Sequence, residues 1–215
     1  MITVNKILCY FVIILLFMVM SCDKKGEEND DDHSGDDSFN DDDTSPDNVT
    51  PEPPDGTWID YETGLMWQNP GVPSPTIQTW FDVKEYCENL ELAEYGDWRL
   101  PTISELRTLI RDCAKTIVGG ECHVTDECTD YYECKNNACS GCSNPGSSGE
   151  DYIFWPSELI GEPYYNYWSA TEVTDIEQWV YIADYYSAAI TTCDYINTLG
   201  NFLQIRCVRT NNVTK

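Results

Sequence analysis

From Ile7 to Met20 the chain is apolar without interruption, from Asp23 to Asp55 it is dominated by polar residues, and after Thr57 apolar residues return at regular spacings. The first run follows Lys6 and has the length of a signal-peptide core, short of the ~18 residues that span a bilayer. Residues 1–21 therefore read as an export signal. Residues 22–55 hold one phenylalanine and no periodicity. They predict a charged, self-repelling tether with a stiffer Pro-rich end.

Periodic patterning then takes over. Thr57 to Gln68 sets two short apolar-aromatic runs around Glu-Thr-Gly, which predicts a β-hairpin with Trp58 and Trp67 toward the core. Trp80, Val83, Cys87 and Leu90 recur at helical spacing, so a helix is expected over about 79–92, with Gly96 just past its end. Thr102 and Glu105 have the spacing of a capping box, which starts a second helix after Thr102 with Leu106, Leu109 and Ile110 inward. Residues 113–149 break the pattern, with six cysteines among Gly, Ser, Asn and Asp and too few aliphatic residues to fold by burial. Bridges must constrain that insertion. Short strands are expected at 152–155, 167–171, 178–183, 188–193 and 202–208. The whole predicts an α+β domain over 56–210, two helices followed by a mostly antiparallel sheet.

Charge narrows the partners. The formal net charge is −26, and its density is greatest in the tether. Such a field repels nucleic acid and anionic lipid headgroups, so neither is an expected partner. About 160 residues remain after the signal and tether, enough for one domain with a sizeable core. Aromatic residues make up 13% of the chain, and Trp and Tyr are densest after residue 56.

Eleven cysteines are present, and Cys9 and Cys22 precede the domain. The nine that remain are Cys87, Cys113, Cys122, Cys128, Cys134, Cys139, Cys142, Cys193 and Cys207. Outside the cytoplasm this density reads as disulfides, and an odd number allows at most four bridges. Cys139-Ser-Gly-Cys142 has half of a zinc pattern, but the second C-x-x-C is missing. In the tether, Asp30-x-Asp32-x-Ser34-Gly35 with Asp41 follows a calcium-loop spacing, without the flanking amphipathic helices such a loop needs. No metal and no cofactor is expected.

Candidate chemistry is sparse. The domain has one histidine, His123, inside the insertion, and no serine with a base that the sequence can nominate. Carboxylate pairs such as Asp60 with Glu62 lack diagnostic spacing. No catalytic residue is expected, and Cys193 is expected to be bridged or buried as a small apolar residue. Trp155, Tyr164, Tyr165, Tyr185, Tyr186 and Tyr195 lie in turn-rich segments and are the candidate binding residues, because exposed Tyr and Trp anchor protein and glycan contacts.

Two resemblances extend this reading. Val19-Met20-Ser21-Cys22 resembles a bacterial lipobox, which implies lipidation of Cys22, cleavage just before it, and attachment to a membrane through the N-terminal lipid. Asp23 after that cysteine leaves two faces open, inner-membrane retention or the cell surface. Asp60-x-x-Thr-Gly-Leu-Met-Trp67, Gly-Asp-Trp-Arg-Leu-Pro-Thr-x-x-Glu-Leu at 96–106, Tyr-Trp-Ser-Ala-Thr-Glu at 167–172 and Arg-Cys-Val-Arg at 206–209 resemble the Lcl C-terminal domain family. That resemblance implies a variant of the C-type lectin-like fold, with chain ends on neighbouring strands and a bridge between Cys87 and Cys207. The family itself supplies no function; the exposed-aromatic candidates and the export signal lead us to expect a lipid-anchored binding or adhesion domain of the cell envelope, with a glycan or an envelope protein as ligand, and a structural surface-layer lipoprotein as the alternative. The calcium motifs of sugar-binding lectins are absent: only Glu162-Pro163-Tyr164 stands where the first would be.

Overall fold

The Glu-Thr-Gly segment closes a hairpin, because Asp60 folds its own side chain back onto it. Asp60 Oδ1 accepts from the N–H groups of Glu62 (3.0 Å) and Thr63 (3.4 Å). Gly64, at φ 71°, takes the left-handed backbone that a side chain would resist, and its N–H reaches Asp60 O at 2.9 Å. The strands so joined are β1 (Thr57–Asp60) and β2 (Leu65–Gln68), with Trp58 directly opposite Trp67. The computed structural model describes residues 52–70, 72–73, 79–143, 154–161, 165–194 and 203–211. The lipobox-like segment, the acidic tether as far as residue 51 with its calcium-like spacing, Tyr164 and Tyr195 lie outside them.

After a short strand β3 (Val72–Pro73), α1 (Trp80–Glu88) begins at Thr79, whose hydroxyl accepts from Asp82 N while Asp82 Oδ2 accepts from Thr79 N. α1 stops at Glu88, short of the expected residue 92. The chain has to reverse there: Leu92 and Tyr95 exchange both backbone hydrogen bonds around Ala93 and Glu94, which sit at φ 55° and 65°. α2 (Ile103–Arg107) carries the capping box read from sequence, with Thr102 Oγ1 accepting from Glu105 N and Glu105 Oε2 accepting from Thr102 N. Leu109 and Ile110 are buried, as expected, although they follow the helix rather than belong to it.

The expected single antiparallel sheet is two sheets. β4 (Asn166–Glu172), β5 (Trp179–Asp184) and β6 (Ala189–Asp194) form an antiparallel meander, and β7 (Leu203–Ile205) lies beside β4 in parallel, with β3 outside it. β8 (Val208–Thr210) leaves that sheet and pairs antiparallel with β2. The strand expected over 202–208 therefore breaks at Arg206 and Cys207, because the chain crosses between sheets there. Cys207 bridges to Cys87 of α1, the pairing implied by the resemblance. The first and last strands of the domain thus share one sheet, in the order β1-β2-β8.

Alternation along the strands divides the core into two clusters. Tyr181 and Ala183 face one cluster with Trp67, Ile103 and Leu106, whereas Val180 and Ile182 face the other with Met66, Trp80, Val83 and Leu100. α2 covers the first face and α1 the second.

The strand expected at 152–155 does not form. Residues 152 and 153 lie outside the described residues, and Phe154–Trp155 is a bend. Phe154 N donates to Tyr185 O while Phe154 O accepts from Arg111 N, so the residue ties two loops together. Pro156 follows almost at once and has no N–H with which to extend a ladder.

The insertion is held by nested bridges: Cys128–Cys134 within Cys122–Cys139 within Cys113–Cys142. With Cys87–Cys207 they make four, and Cys193 lies outside them, half-buried on β6. Inside the outer two loops sits the side chain of Arg107, fully buried, donating to the carbonyls of Thr116 (2.8 Å), Ile117 (2.7 Å) and Val124. A guanidinium thus fills the place that aliphatic residues fill elsewhere, and burial pulls its pKa down. The far end of the insertion rests on the β5–β6 turn, where Cys142 N donates to Ser187 O at 2.9 Å. Gly141 (φ 81°) approaches that turn so closely that a Cβ would lie 2.0 Å from Ser187 O.

Candidate binding surface

The segments most suggestive of chemistry are occupied by structural work. Trp98 and Leu100 are buried, and Trp98 Nε1 donates to Leu92 O. Arg99 grips Glu105 through both carboxylate oxygens (2.5 and 2.7 Å), bracing the capping residue of α2, and this contact raises the Arg99 pKa against the opposing effect of burial. Asp97 accepts from Arg209 at 2.6 and 3.1 Å, which holds its carboxyl below the usual range and ties the loop after α1 to β8. In β4, Ser169 Oγ donates to Tyr181 O, and Thr171 Oγ1 accepts from the N–H of Ile103. His123 is exposed in the insertion. Among the described residues, no group of three or more His, Cys, Asp or Glu is arranged to hold a metal.

Of the aromatic residues expected to line a binding surface, Tyr185 and Trp155 are turned inward. Tyr185 is fully buried, with its hydroxyl donating to Leu106 O at 2.9 Å and its pKa pushed well up by burial. Trp155 is half-buried, stacks on Tyr167 at 5.2 Å and meets Tyr185 edge-on at 4.6 Å. The buried Arg206 guanidinium lies over Trp155 and Tyr167 and donates to the carbonyls of Gln68 and Ile160, 2.5 Å each. These residues clamp the crossing between the sheets. The expectation failed for them because a turn-rich segment need not be a surface one: an aromatic triad fills the space beside a crossover strand. Tyr165 is half-buried, and Tyr186 keeps 44% of its surface open.

The most exposed aromatic side chain among the described residues lies in the insertion. α3 (Tyr131–Cys134) is a single turn in the insertion, and Tyr132 on it is 79% exposed. Tyr131 packs edge-on against Tyr132 at 5.3 Å and against Trp179 of β5 at 6.2 Å, and the Lys135 ammonium sits 5.2 Å above the Tyr131 ring. Together they form an aromatic ridge with a cation beside it.

The ridge is rigidly mounted. Asp130 caps the turn by accepting from Glu133 N, and the Cys128–Cys134 bridge closes it. Asp175, from the β4–β5 connection, accepts from the N–H groups of Tyr131 (2.6 Å) and Tyr132 (3.3 Å). Desolvation pushes the Asp175 carboxyl up, but these N–H groups and Asp130 outweigh it and hold the group below its ordinary range. An aromatic surface fixed in this way loses little entropy when it meets a partner. Sequence reasoning passed over these residues, although a signal was present: adjacent tyrosines between two cysteines, in a segment with too few aliphatic neighbours to cover them.

The family model of the Lcl C-terminal domain matches residues 56–209. No curated protein matches the chain, and no solved structure does. Four disulfides fit an extracytoplasmic location for the folded part. No described helix is long and apolar enough to cross a membrane.

Proposed function

Because the chain belongs to the Lcl C-terminal domain family, we propose that residues 56–210 are a lectin-like binding or adhesion domain without enzymatic activity. In this reading the domain stands off a bacterial envelope on the acidic tether, anchored by lipid on Cys22. Its partner is a glycan or an envelope protein that meets the Tyr131–Tyr132–Trp179 ridge. The observation that carries the proposal is Tyr132, 79% exposed on a turn clamped by a bridge, a cap and Asp175. The C-type lectin-like part rests on the shared sheet of the first and last strands, the helices on opposite faces, and the bridge from α1 to the segment between β7 and β8.

Glycan and envelope-protein pull-down with the full chain tests the function. A saturable partner is expected, and Tyr132→Ala should weaken it at least tenfold, which is about 1.4 kcal/mol. Stability should change by no more than about 0.5 kcal/mol, since the side chain is on the surface. A partner that binds the variant unchanged removes the ridge from the proposal. Metabolic labelling with a fatty acid, compared with Cys22→Ser, tests the anchor, and protease shaving of intact cells distinguishes its two faces.

The nested bridges favour a second reading, a structural surface-layer lipoprotein whose stapled domain resists its surroundings. Absence of any saturable partner for the intact chain would select it.

A further inference from the structure

The geometry points to a second ligand site, a cleft of about 490 Å³ along β1, and to a pyranose sugar without acidic groups as its occupant. The site is separate from the ridge and does not depend on it. β1 is the outer strand of its sheet, and the cleft runs past it between the β1–β2 turn and the loops that carry Arg111 and Glu158. The volume falls in the range of small-ligand sites, ~300–1,000 Å³.

Three kinds of group meet there. Trp58 and Tyr61 supply aromatic surface, and Trp58 is half-buried against the core, so its ring is held in place. Asp60 is only 7% exposed, which makes it a fixed acceptor. Its Oδ1 serves the turn, accepting from Glu62 N and Thr63 N, while Oδ2 takes no hydrogen bond among the described residues. Arg111 is anchored from the other side, because Nη1 donates to the carbonyls of Thr108 (2.6 Å) and Ile110 (3.2 Å). Its Nε and Nη2 donate to no described residue, so the outer edge of the fork remains for a ligand.

A fixed acceptor and a fixed donor fork beside an aromatic wall match the two faces of a sugar ring. Hydroxyls need both donors and acceptors, and the C–H face lies against a π-surface. The sign of charge then selects among sugars. Asp60, Glu62 and Glu158 outnumber Arg111, so a carboxylated or sulfated sugar is repelled while a neutral or amine-bearing one is not.

Saturation-transfer NMR on the purified full-length protein tests the assignment with methyl glucoside, methyl glucosaminide and methyl glucuronide as probes. Transfer to the first two is expected, with the glucuronide at least fivefold weaker. Arg111→Ala should reduce transfer at least tenfold. Glu158→Lys changes an exposed side chain and should raise the glucuronide signal relative to the glucoside. Tyr132→Ala should leave all three unchanged. The assignment is overturned by no transfer to any probe, by the glucuronide binding best, by indifference to both cleft variants, or by loss of transfer in Tyr132→Ala.

Discussion

The two-sheet core and the cysteine-rich insertion solve the same problem with different materials. The core buries Trp67, Trp80, Met66, Leu106, Val180 and their neighbours, and one bridge, Cys87–Cys207, links α1 to the segment between the sheets. In the insertion the buried residues are mostly cysteines, Val124 is its buried aliphatic side chain, and Arg107 enters from α2 to satisfy three carbonyls. Hydrophobic burial is not directional and tolerates many arrangements. Bridges and a buried guanidinium are directional, so the insertion holds one shape with little apolar material. That rigidity is what allows it to present Tyr132 to solvent instead of collapsing onto it.

Removing the long bridge should have the largest effect on this comparison. The Cys87→Ala, Cys207→Ala double variant reopens a loop of 120 residues, which loop-closure entropy puts at about 5 kcal/mol. Denaturant titration should show the loss in the core signal while the insertion's three bridges still resist alkylation. An unchanged midpoint would mean that burial alone holds the core. Arg107→Leu comes next: it strips buried carbonyls of their donors and should cost about 3 kcal/mol. Limited proteolysis should then cut within 113–124 before any site in the sheets, and cleavage elsewhere first would break the claim that the guanidinium serves the insertion.

Smaller effects sharpen the division. Thr102→Ala removes the cap of α2, the element from which Arg107 projects, and should cost about 1 kcal/mol. Acidification should have the least effect and should touch both regions. The pKa values of Asp97 and Asp175 are lowered on folding, so each stabilises the fold above the ordinary aspartate range and loses that contribution as pH falls through and below about 4. The protection factors of the Tyr131 and Tyr132 amides, taken relative to the intrinsic exchange rate at each pH, should fall over that window while those of the central strands hold. An equal fall in β5 would show that the ridge does not yield locally.

Local rules were legible where neighbours in the chain supply the partners. Asp60, Gly64, Thr102 and Glu105 act within four residues of themselves, so the hairpin and the second helix could be read directly. α1 was read too long because its end is set by a reversal at Ala93 and Glu94, residues with no ordinary preference for a left-handed backbone. The candidate surface was misread for a related reason. Tyr185 and Trp155 look like loop aromatics until Arg206 and Tyr167, distant in sequence, close over them, whereas Tyr132 stays 79% exposed.

By itself the sequence determined the α+β content, the family, the hairpin, the capped helix and the need for bridges in 113–149. These follow from short-range periodicity, capping chemistry and composition. Only the tertiary structure decided that β7 and β8 belong to different sheets, that the inner bridges nest, that Arg107 and Arg206 lie inside, and which aromatics face solvent. Burial and pairing depend on which surfaces meet across many residues, and that information belongs to the folded chain as a whole.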